Sequence, residues 1–222
     1  MPTCRSRPLL TALVVLPVAG CATGYAPQAP QAVSLAGNWR LDHAASEDPQ
    51  QLLERLRAQA RKIIERQRAA YGGQRPGSEP PPPSPMESEM ASGHDPLRRS
   101  PMAHIIQDAV ARGDFLTIRQ SADSFVLDYG TTVRRFTPGA RSVVSAEGGV
   151  GDQSSGWKGR EYVITVKAQM GPTVTESYGL ASDGKHLVDK LTISNAELPG
   201  VTLTRQYAPS NEVAPRVVPS TD

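Results

Sequence analysis

The spacing of apolar residues changes once along the chain. On a wheel of about 100° per residue, Leu52, Leu53, Leu56, Ala60, Ile63 and Ile64 fall within about one third of the circumference, which predicts an amphipathic helix over 48–71. Asp48 before Pro49 reads as an N-cap followed by a first-turn proline, Gln51 stands where a capping-box glutamine belongs, and Gly72-Gly73 ends the run. Arg57, Arg61 and Arg68 flank one edge of the stripe and Arg55, Lys62 and Arg66 the other. A second helix over 101–112 is predicted from Ser100 as cap and Pro101 in the first turn; it carries Ile105, Ile106 and Val110 and stops at Gly113.

From Asp114 onward the period becomes two. Leu116 and Ile118, Phe125 and Leu127, and Tyr162, Ile164 and Val166 alternate with polar or outward positions. The same parity links Val174, Tyr178 and Leu180, then Leu187, Leu191 and Ile193, then Val201, Leu203 and Tyr207. Turn signals separate the runs: Ser121 to Ser124, Gly130, Pro138-Gly139, Gly148 to Gly151, Gly171-Pro172, Asp183-Gly184 and Pro199-Gly200. Strands joined by such turns with no helix between them predict antiparallel neighbours in an up-and-down meander. A hairpin at Asp183-Gly184 pairs Leu180 with Leu187, Tyr178 with Asp189, Glu176 with Leu191 and Val174 with Ile193, so Glu176 and Asp189 become diagonal neighbours on the apolar face.

Composition then marks where no core is expected. Nineteen glycines and twenty prolines in 222 residues imply much turn and linker. Residues 21–34 read as a tether, 72–100 with Pro80 to Pro83 as a Pro-rich disordered insertion, and 208–222 as a tail, leaving 35–207 as one mainly β domain with a helical insertion after its first strand.

At the N-terminus, Arg5 and Arg7 precede a short apolar run ending in Val18-Ala19-Gly20-Cys21, too short to span a bilayer and arranged like a signal peptide over 1–20. The closing four residues resemble the bacterial lipobox. That resemblance implies acylation of Cys21 (palmitate included) as the first mature residue, anchoring the chain in the membrane, and Ala22 after it favours the outer membrane with the domain facing the periplasm. Removing 1–20 takes Arg5, Arg7 and Cys4 but no acid, leaving 22 basic and 22 acidic side chains. The basic balance belongs to the leader, so nucleic acid is not an expected partner, and with Cys21 acylated no intrachain disulfide is expected.

Leu35-Ala36-Gly37-Asn38-Trp39-Arg40-Leu41 contains Gly-x-Trp, and Thr204-Arg205-Gln206-Tyr207 closes the last predicted strand. The pair resembles the lipocalin and calycin signature, which implies a barrel or strongly curved sheet with Trp39 sealing one end and Arg205 packed over the indole. Trp157-Lys158-Gly159 and Ser182-Asp183-Gly184-Lys185 also resemble recurring turns of uncharacterised bacterial envelope proteins with such barrels.

Candidate chemistry is sparse. His43, His94, His104 and His186 lack metal-ligand spacing, and no Gly-x-Ser-x-Gly elbow, phosphate loop or dinucleotide fingerprint occurs, so no metal, cofactor or catalytic residue is expected. Glu176, Tyr178 and Asp189 form either the polar end of a ligand cavity or a face opened to water or neutralised by Arg205 or another cation. The cation-edged helix either lies on anionic lipid or covers one end of the barrel. The expected function is a lipid-anchored protein binding a small apolar or amphipathic molecule. The alternative is a structural or assembly factor that contacts an envelope protein or membrane through its helical insertion, with an enzyme ranked third.

Overall fold

The computed structural model describes residues 24–72, 82–196, 198–213 and 215. Among these residues ten strands, β1 (Gly37–Leu41), β2 (Phe115–Gln120), β3 (Phe125–Asp128), β4 (Val133–Phe136), β5 (Arg141–Ala146), β6 (Gly149–Lys158), β7 (Glu161–Ala168), β8 (Thr173–Leu180), β9 (Leu187–Ser194) and β10 (Val201–Pro209), form one antiparallel sheet. Among the described residues, three helices, α1 (Pro49–Gly72), α2 (Pro85–Ala91) and α3 (Pro101–Ala111), are inserted between β1 and β2.

Pairing follows the meander except that β1 sits between β2 and β10, giving the order β4-β3-β2-β1-β10-β9-β8-β7-β6-β5. Its two edge strands are consecutive in sequence, and the link Thr137 to Ala140 spans at most about 18 Å. That link forces the sheet to curl. A flat sheet would hold β4 and β8 about 29 Å apart, six steps of ~4.8 Å, yet Arg134 of β4 reaches Glu176 of β8 at 2.5 Å. The expected register of β8 on β9 is the one observed, from Val174 opposite Ile193 to Leu180 opposite Leu187.

The concave face carries two apolar clusters. One, rich in aromatic rings, fills the curl at one end: Phe125 stacks on Tyr162 with centroids 3.7 Å apart, and Trp157, Tyr178 and Tyr207 surround them. In the other, Leu52, Leu53, Leu56, Ala60 and Ile64 of α1 and Met102, Ala103, Ile106 and Ala109 of α3 cover Leu191, Ile193 and Leu203. The α1 stripe therefore lies across one end of the sheet, which leaves the polar side of the helix outward. Asp48 caps it, its Oδ1 accepting from the Gln50 amide at 2.8 Å. Among the described residues no helix is long and apolar enough to cross a membrane.

Several expectations are corrected. The signal segment, Cys21 and the far end of the tail lie outside the described residues. The segment expected as a tether is docked from Tyr25 onward: Ala26 pairs with Trp157 through bonds of 2.9 and 2.8 Å, the Tyr25 hydroxyl meets that of Thr165 at 2.7 Å, and Val33 is buried. Gly156 permits this, because a Cβ there would stand 2.7 Å from the Ala26 carbonyl oxygen. Within the Pro-rich insertion, Ser84 accepts from the Glu87 amide to cap α2, and Met86 and Leu97 are buried. β10 extends through Ala208 and Pro209, and Val110 is exposed because α3 turns Ala109 and Ile106 inward. β6 begins at Gly149, inside the expected turn.

A Leu56→Ala variant removes a fully buried side chain at the centre of the helix-on-sheet cluster. Urea denaturation should show a loss of about 2–5 kcal/mol.

Candidate functional site

Period-two alternation interrupts the apolar face on three adjacent strands. Glu176 lies between Val174 and Tyr178, Asp189 between Leu187 and Leu191, and Arg205 between Leu203 and Tyr207. The register sets Asp189 opposite Tyr178 on one side and Arg205 on the other, forming a buried polar layer between the two apolar clusters.

Two further arginines complete it. Arg112, the C-cap of α3, donates from both terminal nitrogens to Glu176 at 3.3 and 3.0 Å, and Arg134 donates at 2.5 Å. The Tyr178 hydroxyl also donates to Glu176, at 2.8 Å, and lies 2.9 Å from the Tyr129 hydroxyl. Burial alone would push the Glu176 carboxyl up, but the guanidiniums of Arg134 and Arg112 hold it down to about 2. Asp189 behaves oppositely. Burial, reinforced by the charge of Glu176, raises it to about 7, and its Oδ1 has no hydrogen-bond partner among the described residues. The Tyr207 hydroxyl is likewise unpartnered, and burial with Asp189 nearby pushes it well above the ordinary tyrosine value.

The structure thus brings Glu176, Tyr178 and Asp189 together and supplies cations, namely Arg112 and Arg134. Arg205 does not neutralise the acids by direct bonding; it donates to the carbonyls of Ala109 and Gly113, both at 2.9 Å, and fastens the end of α3 to β10. Nor does it cover Trp39. Leu41 pairs with Tyr207 and Trp39 with Pro209, so Arg205 sits four positions along the strand from the level of Trp39, about 13 Å away. Its guanidinium lies over the Tyr207 ring instead, 5.5 Å from the centroid. Trp39 is buried in the aromatic cluster, its indole N–H donating to the Leu35 carbonyl at 3.1 Å.

Sequence reasoning missed Arg112, Arg134 and Tyr129. Arg134 carried a signal: it shares parity with buried Phe136 and faces Leu127 in the register, but Val133-Arg134-Arg135-Phe136 has too few apolar residues to announce a strand. Arg112 is placed only by where α3 stops, at Gly113, which adopts a left-handed φ of 78°.

A cleft of about 200 Å³ leads to this layer between α3 and the strands β5, β7 and β8. Ile105, Val166 and Val174 form its apolar walls, Arg112 and Glu176 reach it from the layer, and two exposed carboxylates, Asp108 and Glu147, stand in its lining. Among the described residues no group of three His, Cys, Asp or Glu side chains could hold a metal ion.

No protein-family model matches the chain, and no curated protein matches its sequence. Among solved structures it is similar to apo lipid binding protein 8 of Caenorhabditis elegans, with 12% identity, 81% of this chain and 99% of that chain covered, and a TM-score of 0.44. It is also similar to the REP1-NXSQ fatty acid transporter, with 15% identity, 80% and 97% covered, and a TM-score of 0.42.

Glu176→Gln leaves two mostly buried guanidiniums without their counter-charge, and equilibrium unfolding should register a loss of about 3–5 kcal/mol. Asp189 gives a pH signature of the opposite sense. Its carboxyl holds a proton more tightly folded than unfolded, so it lowers stability progressively as pH rises from 3.8 to about 7. Asp189→Asn should therefore be more stable than the parent above that range, with the gap closing on acidification. Parallel unfolding curves over the range would contradict the assignment.

Proposed function

We propose that the chain is a non-catalytic binding protein for a small amphipathic anion, held at the periplasmic face of the outer membrane by acylated Cys21. The observation that carries the binding reading is a charge imbalance beside an apolar-walled cleft. Three guanidiniums, Arg112, Arg134 and Arg205, share one buried layer with two carboxylates, Glu176 and Asp189. With both acids ionised the layer still holds one excess positive charge, and burial makes that excess expensive. An anionic head group against Arg112, which is 18% exposed and uses only two of its five N–H donors on Glu176, would neutralise it. The ligand's apolar part would lie on Ile105, Val166 and Val174.

The anchor rests on the lipobox resemblance at Val18 to Cys21. The assembly-factor alternative would need to meet its partner through polar surface, because α1 and α3 bury their apolar faces on the sheet.

Titration calorimetry with octanoate and 1-octanol tests the ligand class. Octanoate should bind the tighter of the two, and Arg112→Ala should weaken it by about 10–100-fold, the worth of a hydrogen bond to a charged group. Equal binding of the acid and the alcohol would overturn the anionic assignment.

A further inference from the structure

Most of the segment that would separate the anchor from the barrel is not free. Tyr25 and Ala26 are fastened to the sheet by the Trp157 pairing and the Thr165 hydroxyl, and Pro27 packs so closely on Gly139 that a Cβ there would stand 3.0 Å from the proline Cβ. If the lipid is on Cys21, only Ala22, Thr23 and Gly24 lie between it and the docked Tyr25, a reach of at most about 14 Å. A tether free as far as Ser34 would reach roughly three times as far. The face on which Tyr25 lies is therefore kept against the bilayer.

That face is the convex side of β5, β6 and β7. Beside Thr165 a broad depression of about 450 Å³ is lined by Arg141, Val143, Asp152, Ser154 and Lys167. Val143 is 70% exposed, unusual for an aliphatic side chain on a strand, and it sits on an edge strand with no neighbour beyond it in the sheet. Arg141 and Lys167 in the depression and Lys158 and Arg160 at the adjoining hairpin stand against Asp152 and Glu161, a cationic balance suited to anionic phospholipid head groups.

We infer that the convex face of β5 to β7, centred on Val143 and bordered by Arg141 and Lys167, rests on the phospholipid surface and fixes the orientation of the barrel on the membrane. This inference rests on acylation of Cys21. The test uses lipidated mature protein in vesicles of phosphatidylethanolamine and phosphatidylglycerol. A nitrobenzoxadiazole label on Val143→Cys is compared with one on Glu65→Cys, an exposed position of α1, using a head-group spin label as quencher. Quenching at position 143 should exceed that at 65 by at least about twofold, and a flexible insertion of about ten residues between Gly24 and Tyr25 should bring the two values together. Palmitate incorporation into the same preparations separates the two ways of failing. If palmitate is incorporated but quenching at 143 is no greater than at 65, the surface assignment falls and the anchor stands. If a Cys21→Ser variant labels as strongly as the parent, the anchor reading falls and takes the surface with it.

Discussion

One buried carboxylate holds three parts of this molecule together. Glu176, in the middle of β8, receives Arg112 from the end of α3 and Arg134 from β4, six strands away in the sheet. Neither arginine is a neighbour of β8 by sequence or by strand pairing. Only a sheet curled on itself and closed over by its helices can bring both guanidiniums to one carboxylate. Because all three groups are largely withdrawn from water, removing the carboxylate leaves both guanidiniums uncompensated, and curl, lid and polar layer become one cooperative unit.

The same arrangement divides the concave face into regions with different roles. The aromatic end is close-packed, with Phe125 on Tyr162 and Trp157 edge-on to both, and provides stability. The helical end is aliphatic and joined to the sheet by Arg205, which bonds the carbonyl of Ala109 in the last turn of α3, where a helix C-terminus carries partial negative charge, and that of Gly113 just beyond it. Among the described residues, two atoms of the polar layer between them have no hydrogen-bond partner, Asp189 Oδ1 and Tyr207 Oη. A scaffold built for stability alone would replace such groups with apolar ones, and the layer that holds them also carries Arg112 and Glu176 to the cleft, which directs the functional reading to this part of the sheet.

Much of the fold and part of the site were legible in the chain. Alternation in β7 to β10 was strong enough to specify the β8–β9 register residue by residue, and with it the neighbourhood of Glu176, Tyr178 and Asp189. Helices α1 and α3 were legible from Asp48-Pro49 and Ser100-Pro101 together with their apolar stripes. Strands β4 to β6 were not, for a physical reason. β4 and β5 are the two edge strands, where Val133 and Val143 are exposed, and the inward positions of β6, next to β5, include Gly151 and Ser155 in place of large apolar residues. Helix α2 was hidden by proline content, although Ser84-Pro85 carries the cap and first-turn signature that revealed the other two.

What the sequence determined by itself is whatever depends on neighbours along the chain or across one tight hairpin: the two long helices, the meander, and the placing of two acids and a tyrosine on one apolar face. Tertiary structure decided the partners. Arg112 and Arg134 reach Glu176 across 64 and 42 residues, and Arg205 reaches Ala109 across 96, separations that no local periodicity encodes. For the same reason the two acids could be paired on paper but not assigned different charge states. Which of them meets the guanidiniums, and so stays ionised while the other is pushed up, depends on how the curled sheet folds its far edge back over its own face.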